Sequence, residues 1–318
     1  MLSAVHEQDP AVRFLSRVLE GALRSPLLLV GTEGTGRKFA VRHLVQDMFC
    51  TGDSPGTDCP CADCFQLRLN VHPDYIELAA GEKEIGVGAI REIIAAAYSN
   101  PSMARYRVFL IDGADRMTRA AANAFLKTLE EPSSSTRFFL LAESAEAVIP
   151  TIRSRCGLVS FHGLSEKYVL SKLSQFETDP TKALVLTRMG EGSVGRSIQF
   201  WGSGRLALRD KAFTLLRLSA SKDVAGIFAL VESLEKELQL LLRFTEHLLH
   251  DLLMVPLAPE KLINLDLQEA LVGLRAGVSD VTWQGIQSQL REARLMHQQV
   301  KINLGYHVKS VLVEAFAG

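Results

Sequence analysis

Five short apolar runs, separated by helical patterns, constrain the fold of the first half of the chain. The runs are residues 27–30, 75–78, 108–111, 138–141 and 158–161. Consecutive parallel strands need a crossover connection between them, and that connection is usually a helix. Strands that alternate with helices therefore predict a parallel sheet with helices on both faces. We expect residues 1–162 to form such an α/β domain.

The second half of the chain has a helical pattern throughout. Helices are expected at residues 166–176, 181–189 and 194–200, and these would form a small helical domain over 163–203. Residues 204–318 are expected to form a third, all-α domain, with 238–253 and 286–313 as its clearest helical segments. A length of 318 residues suits two or three domains.

Two histidines stand three residues apart in one of these helical segments. His247 and His250 have a spacing that a metal site can use, but no cysteine or HExxH pattern accompanies them. We therefore expect them to be histidines on a helix surface.

The overall charge argues against a chain that binds DNA through a broad basic surface. The net charge is −1, and 47% of the residues are hydrophobic. Any DNA contact would be local or shared with partner proteins. No apolar run approaches the roughly 20 residues of a membrane-spanning helix, so we expect no membrane partner.

A glycine-rich loop, GTEGTGRK at residues 31–38, follows the first apolar run. Strand, glycine loop and helix form the setting of a nucleotide phosphate site, in which Gly31, Gly34 and Gly36 would let backbone N–H groups face phosphate. A working loop also needs a lysine for the phosphates and a serine or threonine for Mg²⁺, whereas Arg37 and Lys38 stand there. Lys38 is no substitute, because one step along a helix turns a side chain by about 100°. Whether nucleotide still binds stays open.

The strand that ends at Asp112 would supply the second half of such a site. A carboxylate at the end of a buried parallel strand suits this role, although an ordinary α/β domain also explains Asp112 alone. Hydrolysing enzymes of this type usually follow that residue with a glutamate that orients water, and here Gly113 follows. Asp115 is expected to face solvent. We therefore predict a degenerate nucleotide site of Gly31, Gly34, Gly36, Arg37 and Asp112, without ATP turnover.

Four of the five cysteines lie within fifteen residues: Cys50, Cys59, Cys61 and Cys64. No secretory signal precedes them, so the density favours metal binding over disulfides. Four thiolates suit a closed, tetrahedral structural zinc site. The Cys59-Pro60-Cys61 step is short and needs an unusual backbone, so free thiols or a decayed site remain the alternatives. Cys156 is expected to be a small buried hydrophobic residue.

Five short sequence motifs resemble those of the clamp-loader branch of the AAA+ ATPases, and within that branch those of the delta-prime family of the bacterial DNA polymerase III holoenzyme. They are LLLVGTEGTG (27–36), HPDYIEL (72–78), VFLIDGADRMT (108–118), AANAFLKTLEEP (121–132) and TIRSRC (151–156). The second half matches mainly in its helical character and in the segment GSVG at 192–195. The resemblance implies an AAA+ domain with a Cys-rich zinc insertion at 50–64, a helical lid and a helical collar that joins subunits in a ring.

The resemblance also implies a role without ATP hydrolysis. The motor subunits, gamma/tau, keep the lysine, the hydroxyl residue, the acid and an arginine in a GSxR motif, whereas here Gly195 ends the motif and Arg196 is displaced by one. Delta-prime proteins keep the SRC arginine, which works in trans on a neighbour's ATP, and that role falls on Arg155. The implied partners are gamma/tau and delta subunits, the sliding clamp and primed DNA, in the cytoplasm.

Alternatives from other classes remain. The chain would otherwise be an ATP-hydrolysing motor subunit like gamma/tau, or a zinc-dependent nucleic-acid-binding module. Without the family context, Arg155 would be a surface ion-pair residue.

Overall fold

The computed structural model describes residues 2–21, 25–52, 55, 58–81, 83–202, 204–300 and 302–315. The chain divides into two compact units, Met1–Ser165 and Glu166–Gly318.

The first unit is built on a five-stranded sheet. Its strands are β1 (Leu27–Val30), β2 (Tyr75–Ala79), β3 (Arg107–Asp112), β4 (Thr136–Ala142) and β5 (Gly157–Ser160). They lie in the order β2-β3-β4-β1-β5, and every neighbouring pair is parallel. All five predicted strands and their parallel arrangement are confirmed. Three of these strands are buried almost throughout, as expected for a sheet covered on both faces.

Six helices accompany this sheet within the described part of the first unit. They are α1 (Asp9–Leu19), α2 (Arg37–Phe49), α3 (Ala62–Arg68), α4 (Val87–Ala97), α5 (Arg119–Glu130) and α6 (Pro150–Arg153). Side chains along β1 alternate between two apolar clusters, with Leu28 packed on the side of α4 and α5 and Leu29 on the side of α1 and α2. The prediction of helices on both faces is therefore confirmed.

The register of the sheet brings three strand ends to one edge. Val30 is level with Ala142, and Asp112 is level with Leu141. The carboxyl ends of β1, β3 and β4 therefore meet where ligands bind in parallel α/β sheets.

Helix α5 forms for local reasons that its sequence predicts. The Thr118 side chain accepts the N–H of Ala121 at 3.2 Å and caps the helix. Phe125 packs edge-on against Phe138 of β4, with ring centroids 5.2 Å apart. These contacts fix α5 against the sheet.

The second unit is helical throughout its described residues. Its helices are α7 (Glu166–Leu173), α8 (Pro180–Met189), α9 (Val194–Gly202), α10 (Leu206–Ala220), α11 (Val224–Ser233), α12 (Leu238–Met254), α13 (Gln268–Arg275), α14 (Asp280–Val300) and α15 (Leu304–Glu314). The segment predicted at 286–313 is not continuous. Asn303 ends the break before α15 and accepts the N–H of Tyr306 at 3.0 Å.

The chain divides near one of the two expected domain boundaries, and the three-domain organisation stays a prediction. The first expected boundary follows residue 162, and the division between the units follows Ser165. Within the second unit, Met189 and Phe200 share one apolar cluster with Phe244 and Trp283. A separate lid at 163–203 and collar at 204–318 therefore stay a prediction. In the described part of the chain no helix is both long and apolar enough to cross a membrane.

Candidate functional site

The glycine-rich loop joins the end of β1 to the start of α2. Its φ angles are 147° at Gly31, 78° at Gly34 and 101° at Gly36. A Cβ atom at Gly31 would collide with the carbonyl oxygen of Phe161. Glycine supplies these conformations without strain, and the loop leads into a helix N-terminus. The loop thus has the expected backbone shape, while its use for nucleotide stays a prediction.

Arg37 is turned into the domain at the start of α2. Only 8% of the residue is exposed, and its Nη1 donates a hydrogen bond to the carbonyl oxygen of Ala142 at the end of β4. Burial lowers the pKa of Arg37, and four carboxylates oppose that effect: Asp112, Glu143, Asp115 and Glu33. The guanidinium therefore neutralises the acids of its own domain at the ligand edge of the sheet.

Lys38 is paired with two carboxylates beside the same edge. Its Nζ contacts Glu77 of β2 and lies 3.8 Å from Oδ2 of Asp112. Glu77 also accepts a hydrogen bond from Nη2 of Arg42 at 3.1 Å. Burial raises the pKa of Glu77, but these cations outweigh it and leave the pKa below its usual value. In a working site Mg²⁺ would be held next to Asp112, and here an ammonium group stands beside that carboxylate.

Gly113 has a conformation that resists a side chain. Its φ is 97°, and a Cβ atom there would lie 2.8 Å from Cβ of Ala80. Asp115 is half-buried, so the prediction that it faces solvent is wrong. Burial raises the pKa of Asp115, and Glu143 adds to this shift. Asp115 lies in a short 3-10 helix, Ala114–Arg116, that follows directly on β3.

Arg155 lies between α6 and β5, with 30% of its side chain exposed. Its Nε donates to Oε1 of Glu130 at 2.6 Å, and its Nη2 contacts the same oxygen. Its Nη1 donates to the carbonyl oxygen of Thr151 at 2.9 Å and to Oγ of Ser154 at 3.3 Å. The guanidinium is thus held at the C-terminus of α5 by an ion pair within the chain. The neighbouring Cys156 is partly buried, and burial raises the pKa of its thiol to about 12.

The four clustered cysteines converge on one point. Their Sγ atoms all lie within 4.8 Å of one another, and those of Cys50 and Cys59 are 3.6 Å apart. Four sulfurs about 2.3 Å from a zinc ion would lie about 3.8 Å from each other. The short Cys59–Cys61 step therefore does not keep these thiols apart. Residues 53, 54, 56 and 57 lie outside the described residues.

Secondary structure positions the cysteines and tunes their acidity. Cys50 caps the C-terminus of α2, while Cys61 caps the N-terminus of α3 and its Sγ accepts the N–H of Cys64 at 3.4 Å. Burial raises the pKa of Cys61, but hydrogen bonds from the Cys64 and Thr51 backbone lower it to about 6. Burial also raises the pKa of Cys64 to about 12. The set suits a metal that binds thiolate, because the cation replaces the protons of the four thiols.

In the second unit, the acidic residue Glu191 contacts two basic side chains, Arg196 and His247. Glu191 accepts a hydrogen bond from Nη1 of Arg196 at 2.9 Å and lies 3.0 Å from Nε2 of His247. His247 is buried, so its predicted surface position is wrong. The reason is that α12 packs in the centre of the unit, where Glu191 gives the imidazole a partner. The His250 side chain is 43% exposed, as expected.

Two carboxylates that hold site residues were missed by the sequence analysis. Glu77 pairs with Lys38, and Glu130 pairs with Arg155. Glu77 lies in the motif HPDYIEL, and Glu130 lies in the motif AANAFLKTLEEP. Their partners are 39 and 25 positions away, and local periodicity carries no signal for such pairs.

Several known proteins resemble this chain in sequence, and two of them illustrate the degree of identity and coverage. The DNA polymerase III subunit delta' of Haemophilus influenzae is 36% identical over 138 residues, 43% of this chain and 42% of that protein. The DNA polymerase III subunit gamma of Buchnera aphidicola is 34% identical over 154 residues, 48% of this chain and 42% of that protein. The chain thus matches less than half the length of either relative.

A solved structure and a family model complete the comparison. The structure, a DNA polymerase III gamma subunit-related protein from Thermotoga maritima, aligns with 17% identity and a TM-score of 0.48, covering 94% of this chain and 99% of that chain. The model of the family described as "DNA polymerase III, delta subunit" matches residues 7–165, which is half of the chain. The chain therefore belongs to the DNA polymerase III delta subunit family, and its predicted kinship with the delta-prime subunits is confirmed.

Proposed function

We propose that this chain is a clamp-loader subunit of DNA polymerase III that does not hydrolyse ATP itself. The observation that carries the proposal is the state of its nucleotide edge. Arg37 is buried on a backbone carbonyl, and Lys38 stands beside the carboxylate that would hold Mg²⁺. At Gly113, a water-orienting glutamate would collide with Ala80. Three groups needed for turnover are thus replaced by contacts that belong to the fold.

Within such a complex, Arg155 is the group that this chain offers to a neighbour. A guanidinium binds phosphate oxygens with two parallel hydrogen bonds and stabilises the charge that develops during phosphoryl transfer. Arginine fingers contribute about 10³ to 10⁵ in rate. The 30% exposure of the Arg155 side chain supports this role. To reach a phosphate, the guanidinium would exchange Glu130 for the phosphate oxygens.

The partners that follow are gamma/tau and delta subunits, the sliding clamp, and primed DNA held by the assembled complex. The net charge of −1 supports DNA contacts shared among subunits rather than a basic surface on this chain. The third, helical domain would act as the collar of the ring, and the expected location is the cytoplasm.

The cysteine cluster would hold one structural zinc ion. Cys50, Cys59, Cys61 and Cys64 supply four thiolates, and a site with four protein ligands leaves no open position for catalysis. The metal would contribute to the folding of this segment. Elemental analysis of protein purified without chelators should find close to one zinc per chain. A chain with four freely reactive thiols and no metal would reject this part of the proposal.

ATP turnover by the purified chain tests the main proposal. We expect phosphate release at the background rate with Mg²⁺ present, and the same rate for Asp112→Asn. The resemblance to a gamma subunit keeps a motor subunit as the second candidate. Steady, Mg²⁺-dependent release that Asp112→Asn abolishes would support that candidate and reject the first.

A further inference from the structure

A buried histidine connects the cysteine-bearing helix α3 to the sheet. His72, just before β2, is 4% exposed, and its Nε2 lies 3.1 Å from Oδ1 of Asp63. Asp63 is itself buried and stands in α3 between Cys61 and Cys64. The histidine therefore contacts the turn of helix that carries two of the four thiols.

The hydrogen bonds of His72 define its tautomer. Its Nδ1 accepts the backbone N–H of Asp74 at 3.1 Å, so this nitrogen carries no proton. The proton of the neutral ring is then on Nε2, which donates to the Asp63 carboxylate. The ring also packs against Phe49 of α2, with centroids 4.8 Å apart. These contacts hold the imidazole in one orientation.

The residues after His72 are equally well held. The buried Asp74 carboxylate accepts backbone N–H groups from Ser102, Met103 and Ala104 at 2.7 to 2.9 Å. It also accepts from the Arg107 guanidinium at 3.0 Å. The start of β2 is thus a fixed point on the domain. Because β2 is an edge strand with a single partner strand, its order also depends on contacts at its start, such as those of Asp74 and His72.

We propose that the Asp63–His72 hydrogen bond is the positioning contact of the cysteine cluster. It fixes α3, and with it Cys61 and Cys64, against the start of β2. Metal retention and the order of β2 then depend on each other. Outer partners that orient a metal-binding group typically change metal affinity 10- to 100-fold when removed. The inference rests on metal binding by the four cysteines, as proposed above.

Four single variants of the full chain test this contact. His72→Asn keeps an acceptor near the Nδ1 position and loses the donor to Asp63, whereas His72→Gln keeps a donor near the Nε2 position. Asp63→Ala removes the acceptor, and Asp63→Asn retains an amide oxygen in its place. Each pair thus compares loss of the bond with its conservation at the same position.

The measurements are the rate of zinc release to a chromogenic chelator and the hydrogen exchange of β2 amides, with circular dichroism to verify folding. We expect zinc release about 10- to 100-fold faster in His72→Asn and Asp63→Ala, and close to wild type in the two conservative variants. Chelation should speed the exchange of β2 amides in wild type. The double variant His72→Asn/Asp63→Ala should release zinc no faster than the faster single variant, since one bond is lost in both.

The outcomes separate this inference from the metal proposal. If wild type holds zinc and both His72→Asn and Asp63→Ala release it at the wild-type rate, the positioning role is overturned and the metal site stands. Additive effects in the double variant would also overturn it. A wild-type chain without zinc overturns both. Should His72→Asn fail to fold, Asp63→Ala tests the same bond from the helix side.

Discussion

Two arginines of the first unit differ in their burial and in their partners. Arg37, in the glycine loop, is 8% exposed and bonded to a backbone carbonyl. The side chain of Arg155, in the SRC motif, is 30% exposed. It pairs with the carboxylate of Glu130, whose side chain is 46% exposed. Removal of a buried guanidinium leaves its carboxylate neighbours without their counter-charge, whereas a partly exposed pair costs little to open. The loop arginine thus contacts groups of its own chain, and the SRC arginine is the one that we propose to act on a neighbouring subunit.

The largest expected effect is on the stability of the first unit. Arg37→Ala should lower its free energy of unfolding by about 2 to 4 kcal/mol, because several carboxylates lose their buried counter-charge. Arg155→Ala should cost less than about 1 kcal/mol. Both tryptophans, Trp201 and Trp283, lie in the second unit. Hydrogen exchange of the sheet amides is therefore the appropriate measurement. Equal costs for the two variants would break the comparison.

A double variant restores the two side chains that a nucleotide loop needs. Arg37→Lys/Lys38→Thr supplies the phosphate lysine and the Mg²⁺ hydroxyl, and should cost about 1 to 2 kcal/mol through the lost bond to Ala142. We still expect no ATP turnover, because Gly113 has no carboxylate and no room for one. Arg37→Lys alone is the control for stability. Phosphate release above background by the double variant would contradict this account of the loop.

The smallest expected change in the free energy of unfolding is at Asp115, just after the carboxyl end of β3. Burial raises the pKa of this carboxyl above its ordinary value near 3.8. The folded state therefore binds the proton more tightly than the unfolded state, and ionisation destabilises the fold as pH rises through the folded-state pKa. Asp115→Asn should stabilise the chain at pH 7 by less than about 1 kcal/mol. Unfolding curves at pH 7 and near pH 3.5 should show the gain shrinking at the lower pH. A destabilised variant at pH 7 would contradict this.

The sequence predicts the parallel sheet well and the partners of its site residues poorly. Buried parallel strands are continuous apolar runs, so 27–30 and 108–111 are recognisable without any contact information. The Thr118 cap is also a local signal. The burial of His247 and the pairing of Glu130 with Arg155 depend on residues 56 and 25 positions away. The convergence of the four cysteines was predictable because their density in the sequence is itself the signal.

The most direct test measures ATP hydrolysis by the assembled complex with wild-type or Arg155→Ala protein. Arg155→Lys serves as a matched variant, because a lysine keeps the charge without the two-pronged hydrogen bonding of a guanidinium. The account predicts that both variants assemble normally and that the adjacent ATP site slows by about 10³-fold. The total rate would then fall by that site's share, and clamp loading would slow. Unchanged hydrolysis and loading in a fully assembled complex would contradict the role of Arg155.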